Sequence, residues 1–194
     1  MPATLLARSA LCLLLSTLAL ACHKSATSAT TAPAPAKTVE QLAREGYGGE
    51  ADTWAKHSGL LGHPAPPLPL SDWRGTPVTD DARRGKIVVV DFWATWCGPC
   101  IANVPHTNEI ARKFRDKGVL VVGACGGGEE EKMKDVADGA HMEYPTGKAS
   151  EATTAAWGLE YWPHYAIVDR KGNLRAIGLD PDYIERILDR LLTE

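Results

Sequence analysis

Two cysteines separated by a Gly-Pro pair are the residues of this chain best suited to covalent chemistry. Cys97 and Cys100 lie three positions apart and follow an apolar run at residues 87–90. If a helix begins at or just after Cys97, both sulfurs lie in its first turn, where unpaired N–H groups and the helix dipole favour a negative sulfur. A lowered pKa makes Cys97 a nucleophile, because the thiolate is the form that attacks disulfides. Cys100, one turn on, can then resolve the mixed disulfide, so the spacing predicts a dithiol–disulfide exchange site.

A zinc site is the main alternative for a Cys-x-x-Cys pair. Tetrahedral zinc needs two further ligands, usually a second cysteine pair or a histidine pair at close spacing. Here Cys125 is the only cysteine after the pair, and the histidines are single and scattered. The pair also lies at a strand-to-helix junction with Gly98 and Pro99 between the thiols. These features favour redox chemistry, and no metal ligands are predicted.

Residues 91–100 read Asp-Phe-Trp-Ala-Thr-Trp-Cys-Gly-Pro-Cys and resemble the active-site segment of thioredoxin. Over about residues 61–192 the chain is similar to the membrane-tethered, extracytoplasmic branch of that superfamily, the TlpA/ResA type. Three further features carry the resemblance: the entry segment at residues 61–66 followed by residues 68–78, Pro105 in the position of the proline that kinks the family's first long helix, and Trp162-Pro163 followed by a strand at residues 164–169.

The resemblance implies an α/β thioredoxin fold with a mixed central sheet, helices on both faces and an N-terminal β-hairpin extension. The hydrophobic pattern agrees, because apolar runs at residues 87–92 and 119–124 flank a helical pattern at residues 99–117. Strand, helix and strand in that order predict a βαβ unit with parallel strands and a site at their carboxyl ends. The proline-rich residues 65–78 suit an edge strand or hairpin. Residues 164–177 are typical of a second hairpin.

Roles for residues around the dithiol follow from the same resemblance. Asp91 lies in a buried strand, where burial of a charged acid costs free energy. It is predicted to be the general base for Cys100. The alternative is an exposed carboxylate at the end of the strand. Pro163 resembles the family's cis-proline, whose backbone helps to align an incoming peptide. Trp162 is bulky where the family more often has a small or β-branched residue. With His164 it could shape the client groove and tune the thiolate, although His164 could also be an ordinary strand histidine.

The remaining candidates flank the dithiol or follow the next strand. Trp96 is predicted to cover the site as a hydrophobic contact surface, and Trp93 to lie in the core. Cys125 is interpreted either as a third redox thiol or as a small buried cysteine. The predicted catalytic residues are thus Cys97, Cys100 and Asp91, and the predicted client-binding residues are Trp96, Gly98, Pro99, Trp162, Pro163 and His164.

The N-terminal residues indicate export. Arg8 precedes an apolar stretch at residues 10–21 that is too short to span a membrane, so residues 1–21 are predicted to be a signal peptide. Residues 18–22 resemble a bacterial lipobox and predict lipidation of Cys22, although Ala19 stands where leucine is commonest; an ordinary cleaved signal peptide is the alternative. Residues 22–37, rich in Ser, Ala, Thr and Pro, cannot bury a core and predict a disordered tether. The thioredoxin-like domain is predicted at residues 38–194.

Composition narrows the classes of function. The chain has 194 residues, of which 44% are hydrophobic, and a formal net charge of −3. That balance is typical of one ordinary domain, and the absence of a basic patch with interleaved aromatic residues argues against nucleic acid as a partner. The small number of cysteines argues against a disulfide-stapled scaffold.

The sequence therefore predicts an exported thiol:disulfide oxidoreductase, lipid-anchored at a bacterial membrane and facing the periplasm or the cell exterior. Gly98-Pro99 between the thiols resembles reductants, so the predicted activity is reduction of protein disulfides with no cofactor beyond the Cys97–Cys100 disulfide. By resemblance, electrons come from a membrane donor, and the partners are client proteins with disulfides or thiols, such as apocytochromes in cytochrome c biogenesis. The alternatives are a disulfide oxidase or isomerase, and a copper-binding assembly factor that uses Cys97, Cys100 and a histidine such as His164 as soft ligands.

Overall fold

A computed structural model of the chain describes residues 36–194. The predicted signal peptide, Cys22 and the tether up to residue 35 lie outside the described residues. Residues Ala36–Glu194 form one unit. Within this unit, no helix is both long enough and apolar enough to cross a membrane.

Six strands and seven α-helices make up the described part of the chain. The strands are β1 (Leu70–Arg74), β2 (Ile87–Trp93), β3 (Val119–Cys125), β4 (Thr146–Ala149), β5 (His164–Val168) and β6 (Leu174–Leu179). The helices are α1 (Val39–Glu45), α2 (Ala51–Ser58), α3 (Asp80–Arg83), α4 (Gly98–Phe114), α5 (Met133–Gly139), α6 (Glu151–Ala156) and α7 (Ile184–Leu191). Short 3₁₀ turns follow α4 and precede α5 and α7.

The strands form one mixed sheet in the order β1-β4-β3-β2-β5-β6. β2 and β3 are parallel and are joined through α4, which confirms the predicted βαβ unit. β5 and β6 are antiparallel neighbours, which confirms the predicted hairpin. The α/β class and the mixed sheet with helices are therefore as predicted, and β2 lies in the middle of the sheet, fully buried.

The proline-rich entry segment forms an edge strand and not the predicted N-terminal hairpin. In the described residues, β1 pairs antiparallel with the distant strand β4. Four prolines, at positions 64, 66, 67 and 69, precede β1 and have no N–H to donate to a hairpin ladder. Three further elements, β4, α2 and α3, were not predicted. β4 contains Gly147 and Lys148 in place of an apolar run, the buried residues of α2 are polar, and α3 is a single turn with no buried residue.

Alternation along β2 divides the core into two layers. Val88, Val90 and Phe92 face one cluster with Trp157 and Leu68. The residues between them face the other cluster, which contains both cysteines of the dithiol and side chains from α1, α4, α5 and α7. Because side chains alternate between the two faces of a strand, Asp91 belongs to the second face. The sheet thus places this acid on the same side as the dithiol.

Candidate active site

The dithiol lies where the long helix α4 begins. Cys97 is the N-cap residue, and its Sγ accepts a hydrogen bond from the N–H of Cys100 at 3.2 Å. Pro99 occupies the first turn, where its missing N–H removes no helical hydrogen bond. The two cysteines form a disulfide, and both are buried. The helix start that the sequence predicted at Cys97 is therefore observed, with both sulfurs at the end of α4 that carries the unpaired N–H groups.

Asp91 is a buried carboxyl with one hydrogen-bond partner. The Tyr144 hydroxyl donates to its Oδ2 at 2.5 Å, while Oδ1 has no partner among residues 36–194. Burial raises the pKa of Asp91 to about 7, and the hydrogen bond from Tyr144 opposes part of that rise. Asp91 is thus not the exposed strand-end carboxylate that was the alternative. It is a buried acid that exchanges its proton near neutral pH.

Two tyrosines surround this acid, and sequence reasoning did not identify either of them. Tyr165 lies opposite Asp91 in the pairing of β2 with β5, and its hydroxyl hydrogen-bonds with Thr107 at 3.1 Å. Burial raises the pKa of both Tyr144 and Tyr165 well above the usual range. Both hydroxyls therefore keep their protons, and Asp91 is left as the group that titrates. Tyr144 lies 53 positions from Asp91 in the chain, so no local pattern could have indicated the contact.

The exposed surface beside the dithiol is aromatic. Trp96 has 55% of its surface exposed and is the only large hydrophobic residue exposed in the described range. Its indole N–H donates to the carbonyl of Gly127 at 3.0 Å, and its ring lies 6.0 Å from that of Trp162. Gly98 and Pro99 are also exposed. With the half-buried Pro163, the structure therefore brings five of the six predicted client-binding residues to the surface or near it.

Gly127 supports this aromatic surface and was missed by the sequence analysis. It has a φ of +84°, and a Cβ there would lie 3.0 Å from the Trp162 ring. Glycine is required because both the backbone conformation and the close ring exclude a side chain. The run of three glycines at residues 126–128 is typical of a loop, and it was also the signal for this close approach.

Trp162 and Pro163 form a cis peptide bond and are half-buried. The resemblance to the family's cis-proline predicted this geometry at Pro163. Trp162 buries its indole nitrogen without a hydrogen-bond partner in the described part of the chain. The role of Pro163 in aligning an incoming peptide stays a prediction.

His164 is not a surface residue, contrary to the prediction that it helps to form the client groove. Its side chain is fully buried and packs against His57, Phe92 and Tyr161. The physical reason is alternation, since His164 pairs with Phe92 and both point to the face opposite Asp91. Neither ring nitrogen has a partner among the described residues, and burial together with His57 lowers the pKa of His164 to about 3. The imidazole is therefore neutral at physiological pH and offers a client no surface.

The positions of Cys125 and His164 bear on two of the alternatives for the site. Cys125 is buried at the end of β3, and burial raises its pKa to about 12. It therefore stays a thiol and is a poor nucleophile. His164 points away from the face that carries the cysteines, so this histidine does not converge with Cys97 and Cys100 on a copper site. Within residues 36–194, no group of three or more His, Cys, Asp or Glu residues is placed to hold a metal ion.

A mixed sheet with a Cys-Gly-Pro-Cys dithiol at the start of its first long helix after a central strand defines a thioredoxin-fold dithiol protein. The family model described as Redoxin matches residues 60–192. This range is most of the chain, so the protein belongs to the Redoxin family.

Relatives and solved structures of similar sequence carry thiol–disulfide names. The chain is 24% identical over 115 residues to the thiol-disulfide oxidoreductase ResA of Bacillus thuringiensis strain Al Hakam, covering 59% of this chain and 66% of that one. It is 27% identical over 138 residues to ResA of Geobacillus thermodenitrificans strain NG80-2, covering 70% of this chain and 79% of the relative. The crystal structure of a thiol-disulfide isomerase from Corynebacterium glutamicum superposes with a TM-score of 0.60 at 26% identity. The superposition covers 68% of this chain and 97% of that chain.

Proposed function

We propose that this protein is a thiol:disulfide oxidoreductase that reduces disulfides in client proteins outside the cytoplasm. The observation that carries the proposal is the position of Cys97 as N-cap of α4, with Cys100 in the first turn and bonded to it. The names of the relatives support the same class of chemistry.

The reaction would begin from the reduced dithiol. The Cys97 thiolate attacks one sulfur of the client disulfide, a Cys97–client disulfide forms, and the other client sulfur leaves as a thiolate that takes up a proton. The Cys100 thiolate then attacks Cys97 Sγ and displaces the second client thiolate. Two electrons pass to the client, and the protein is left with the Cys97–Cys100 disulfide, the state present in this structure. A second dithiol must then reduce that disulfide.

Asp91 would act on the proton of Cys100. The acid lies on the sheet face that carries the dithiol, and a pKa of about 7 allows it to accept and return a proton at neutral pH. A general base works best when its pKa lies near the operating pH. Asp91 would accept the Cys100 proton as that thiol attacks the mixed disulfide, and it would return the proton when the disulfide is reduced again.

The exposed aromatic surface would bind the client. Trp96 and the half-buried Trp162 present apolar rings beside Gly98 and Pro99, so an extended client segment could cover them while its disulfide meets Cys97. Exposed aromatic residues are typical of surfaces that bind other proteins. Clients such as apocytochromes that await haem are proposed on the resemblance to the TlpA/ResA type.

Export and anchoring form the second part of the proposal. Residues 1–21 would act as a signal peptide, the Cys22 thiol would carry a lipid, and the following tether would hold the domain clear of a bacterial membrane. A membrane donor would supply the electrons. These proposals rest on the sequence pattern at residues 1–37.

A redox titration in thiol buffers, with thiols counted by intact mass, tests the activity and its direction. A two-electron transition near or below about −250 mV supports a reductant, because thioredoxin lies near about −270 mV. A midpoint near about −120 mV would instead identify an oxidase. The matched controls are Cys97→Ser, which should abolish the transition, and Cys125→Ala, which should leave it unchanged. If no reversible disulfide forms, the proposed function is wrong.

A further inference from the structure

A cavity of about 420 Å³ lies beside the first half of β2, away from the dithiol. Its lining includes Val88 and Val90, whereas Cys97 follows the opposite end of the strand. At about 3.3 Å per residue, Val88 lies roughly 17 Å from the end of β2 at Trp93. The cavity is therefore separate from the proposed active site, and the proposed reaction gives it no role. Its volume falls within the range of about 300–1,000 Å³ that is usual for small-molecule sites.

The inner wall of this cavity is apolar. Val88 and Val90 contribute from β2, and Trp157 and Leu68 contribute from the layer that covers this sheet face. The Trp157 indole N–H is already bonded to the carbonyl of Pro67 at 3.0 Å. The Trp157 side chain therefore contributes an apolar ring to the cavity wall, and its indole N–H needs no partner from a ligand. A wall of this kind favours the hydrocarbon or aromatic body of a ligand.

The rim of the cavity is cationic although the chain as a whole is acidic. Five basic residues and two acidic ones line it: Arg83, Arg84, Lys86, Arg170, Lys171, Asp80 and Asp169. The two acids already have partners, since Asp80 pairs with Arg83 and Asp169 accepts hydrogen bonds from its own turn and from Arg175.

Three of the basic residues on the rim have no counter-ion among residues 36–194, and one of these, Arg170, donates a hydrogen bond to the Leu191 carbonyl at 3.2 Å. Lys86 and Lys171 are exposed and form no ion pair with any residue between 36 and 194. Two unpaired ammonium groups beside an apolar wall attract a negative charge attached to an apolar body. A neutral ligand would form no ion pair with these ammonium groups, and a cationic ligand would be repelled by them.

We propose that this cavity binds a small amphipathic carboxylate. The apolar body lies against Val88, Val90 and Trp157, and the carboxylate lies between Lys86 and Lys171. The site is independent of the dithiol, so its failure would leave the proposed oxidoreductase function untouched.

Binding of decanoate to the purified protein, measured by calorimetry below the micellar concentration, tests the proposal. We expect one site per chain, and decanol, which has the same body without the charge, should bind about tenfold more weakly. The double variant Lys86→Glu/Lys171→Glu should lose at least about tenfold in decanoate affinity. Ala65→Phe, which adds a side chain at the cavity lining, should also weaken binding.

The controls separate this site from general charge and from the dithiol. Arg115→Glu reverses one exposed basic charge outside the cavity, which is half of the charge change in the double variant, and should leave decanoate affinity unchanged, as should Cys97→Ser. Thermal unfolding and disulfide exchange should be unaltered in the lysine double variant, which shows that it folds. The proposal is overturned if decanoate does not bind at millimolar concentration, if decanol binds as tightly, or if Arg115→Glu weakens binding equally. Association only with phosphatidylglycerol vesicles would also overturn it, because the rim would then be a membrane-facing patch.

Discussion

The Tyr144 hydroxyl donates a hydrogen bond to Oδ2 of Asp91 at 2.5 Å, and both side chains are buried. The phenol reaches across from the loop before β4 to the central strand that precedes the dithiol. The hydrogen bond stabilises the carboxylate form, whereas burial favours the protonated acid. The balance between these two effects places the pKa of Asp91 near neutrality.

Tyr144→Phe should move the pH dependence of disulfide exchange upward. Loss of the hydrogen bond removes the larger of two contacts, from Tyr144 and Tyr165, that lower the pKa of Asp91, and a hydrogen bond to a charged group corresponds to about one pKa unit. The midpoint of the single-turnover rate against pH should therefore rise by about one unit. Tyr161→Phe is the matched control, since that tyrosine packs against His164 on the opposite sheet face. An unchanged midpoint in Tyr144→Phe would show that Asp91 does not control this step.

Asp91→Asn should stabilise the fold at alkaline pH while it slows exchange. The folded pKa of Asp91, about 7, lies above the ordinary value of 3.8, so the wild-type protein loses stability as the pH rises from about 4 through 7. Asparagine does not titrate, so the advantage of the variant should grow to the order of 4 kcal/mol by pH 8. Urea unfolding at pH 4 and at pH 8 measures the difference.

Asp189→Asn, a change at an exposed carboxyl on α7, serves as the control for the unfolding experiment. Its free energy of unfolding relative to wild type should be the same at pH 4 and at pH 8. The exchange rate of Asp91→Asn at pH 7 should fall by about 10² or more if the acid moves the Cys100 proton. Equal stability of Asp91→Asn and wild type at pH 8 would contradict the buried, proton-exchanging state of Asp91.

The two buried histidines should respond oppositely to the same substitution. His164 has no partner for either ring nitrogen in the described part of the chain, whereas His57 bonds with the Tyr47 hydroxyl and the Gly158 carbonyl, each at 2.9 Å. His164→Phe should therefore raise the free energy of unfolding by about 1–2 kcal/mol at pH 7, because it removes unsatisfied polar atoms. His57→Phe should lower it by a similar amount, because it leaves two groups unpaired.

The gain in the free energy of unfolding from His164→Phe should be larger at acidic pH. The folded pKa, about 3, lies below the ordinary value of 6.5, so the wild-type protein loses stability as the pH falls from 6.5 towards 3. At pH 4 the advantage of His164→Phe should be larger by on the order of 3 kcal/mol. Denaturant midpoints for both variants at pH 7 and pH 4 test this, and a His164→Phe protein as acid-sensitive as wild type would refute it.

Gly127→Ala should impair client binding more than Gly128→Ala. Both glycines have positive φ, so an alanine at either position costs about 1–2 kcal/mol in backbone strain. Only at position 127 does a Cβ also meet a side chain, the Trp162 ring at 3.0 Å. The added contact should displace the Trp96–Trp162 surface and raise KM for a disulfide-containing protein substrate. Equal KM values for the two variants would show that this aromatic surface does not bind the client.

Local features of the chain were predictable from the sequence. The apolar run of β2, the thiol spacing and the apolar run of β3 define a βαβ unit with Cys97 at the start of its helix, and the structure has this unit. The reason is that strand burial and helix capping depend on neighbouring residues, which the sequence displays directly. The same reasoning placed Trp93 in the core and Trp96 at the surface.

Contacts between distant segments were decided only by the tertiary structure. The pairing of β1 with β4, the hydrogen bond from Tyr144 to Asp91, and the burial of His164 each depend on how the sheet brings separated residues together. His164 shows the reason most clearly, because the register of β5 against β2 turns it to the face opposite Asp91. The sequence by itself determined the dithiol and the helix that carries it. The three-dimensional packing decided the environment of Asp91, which in turn controls its pKa.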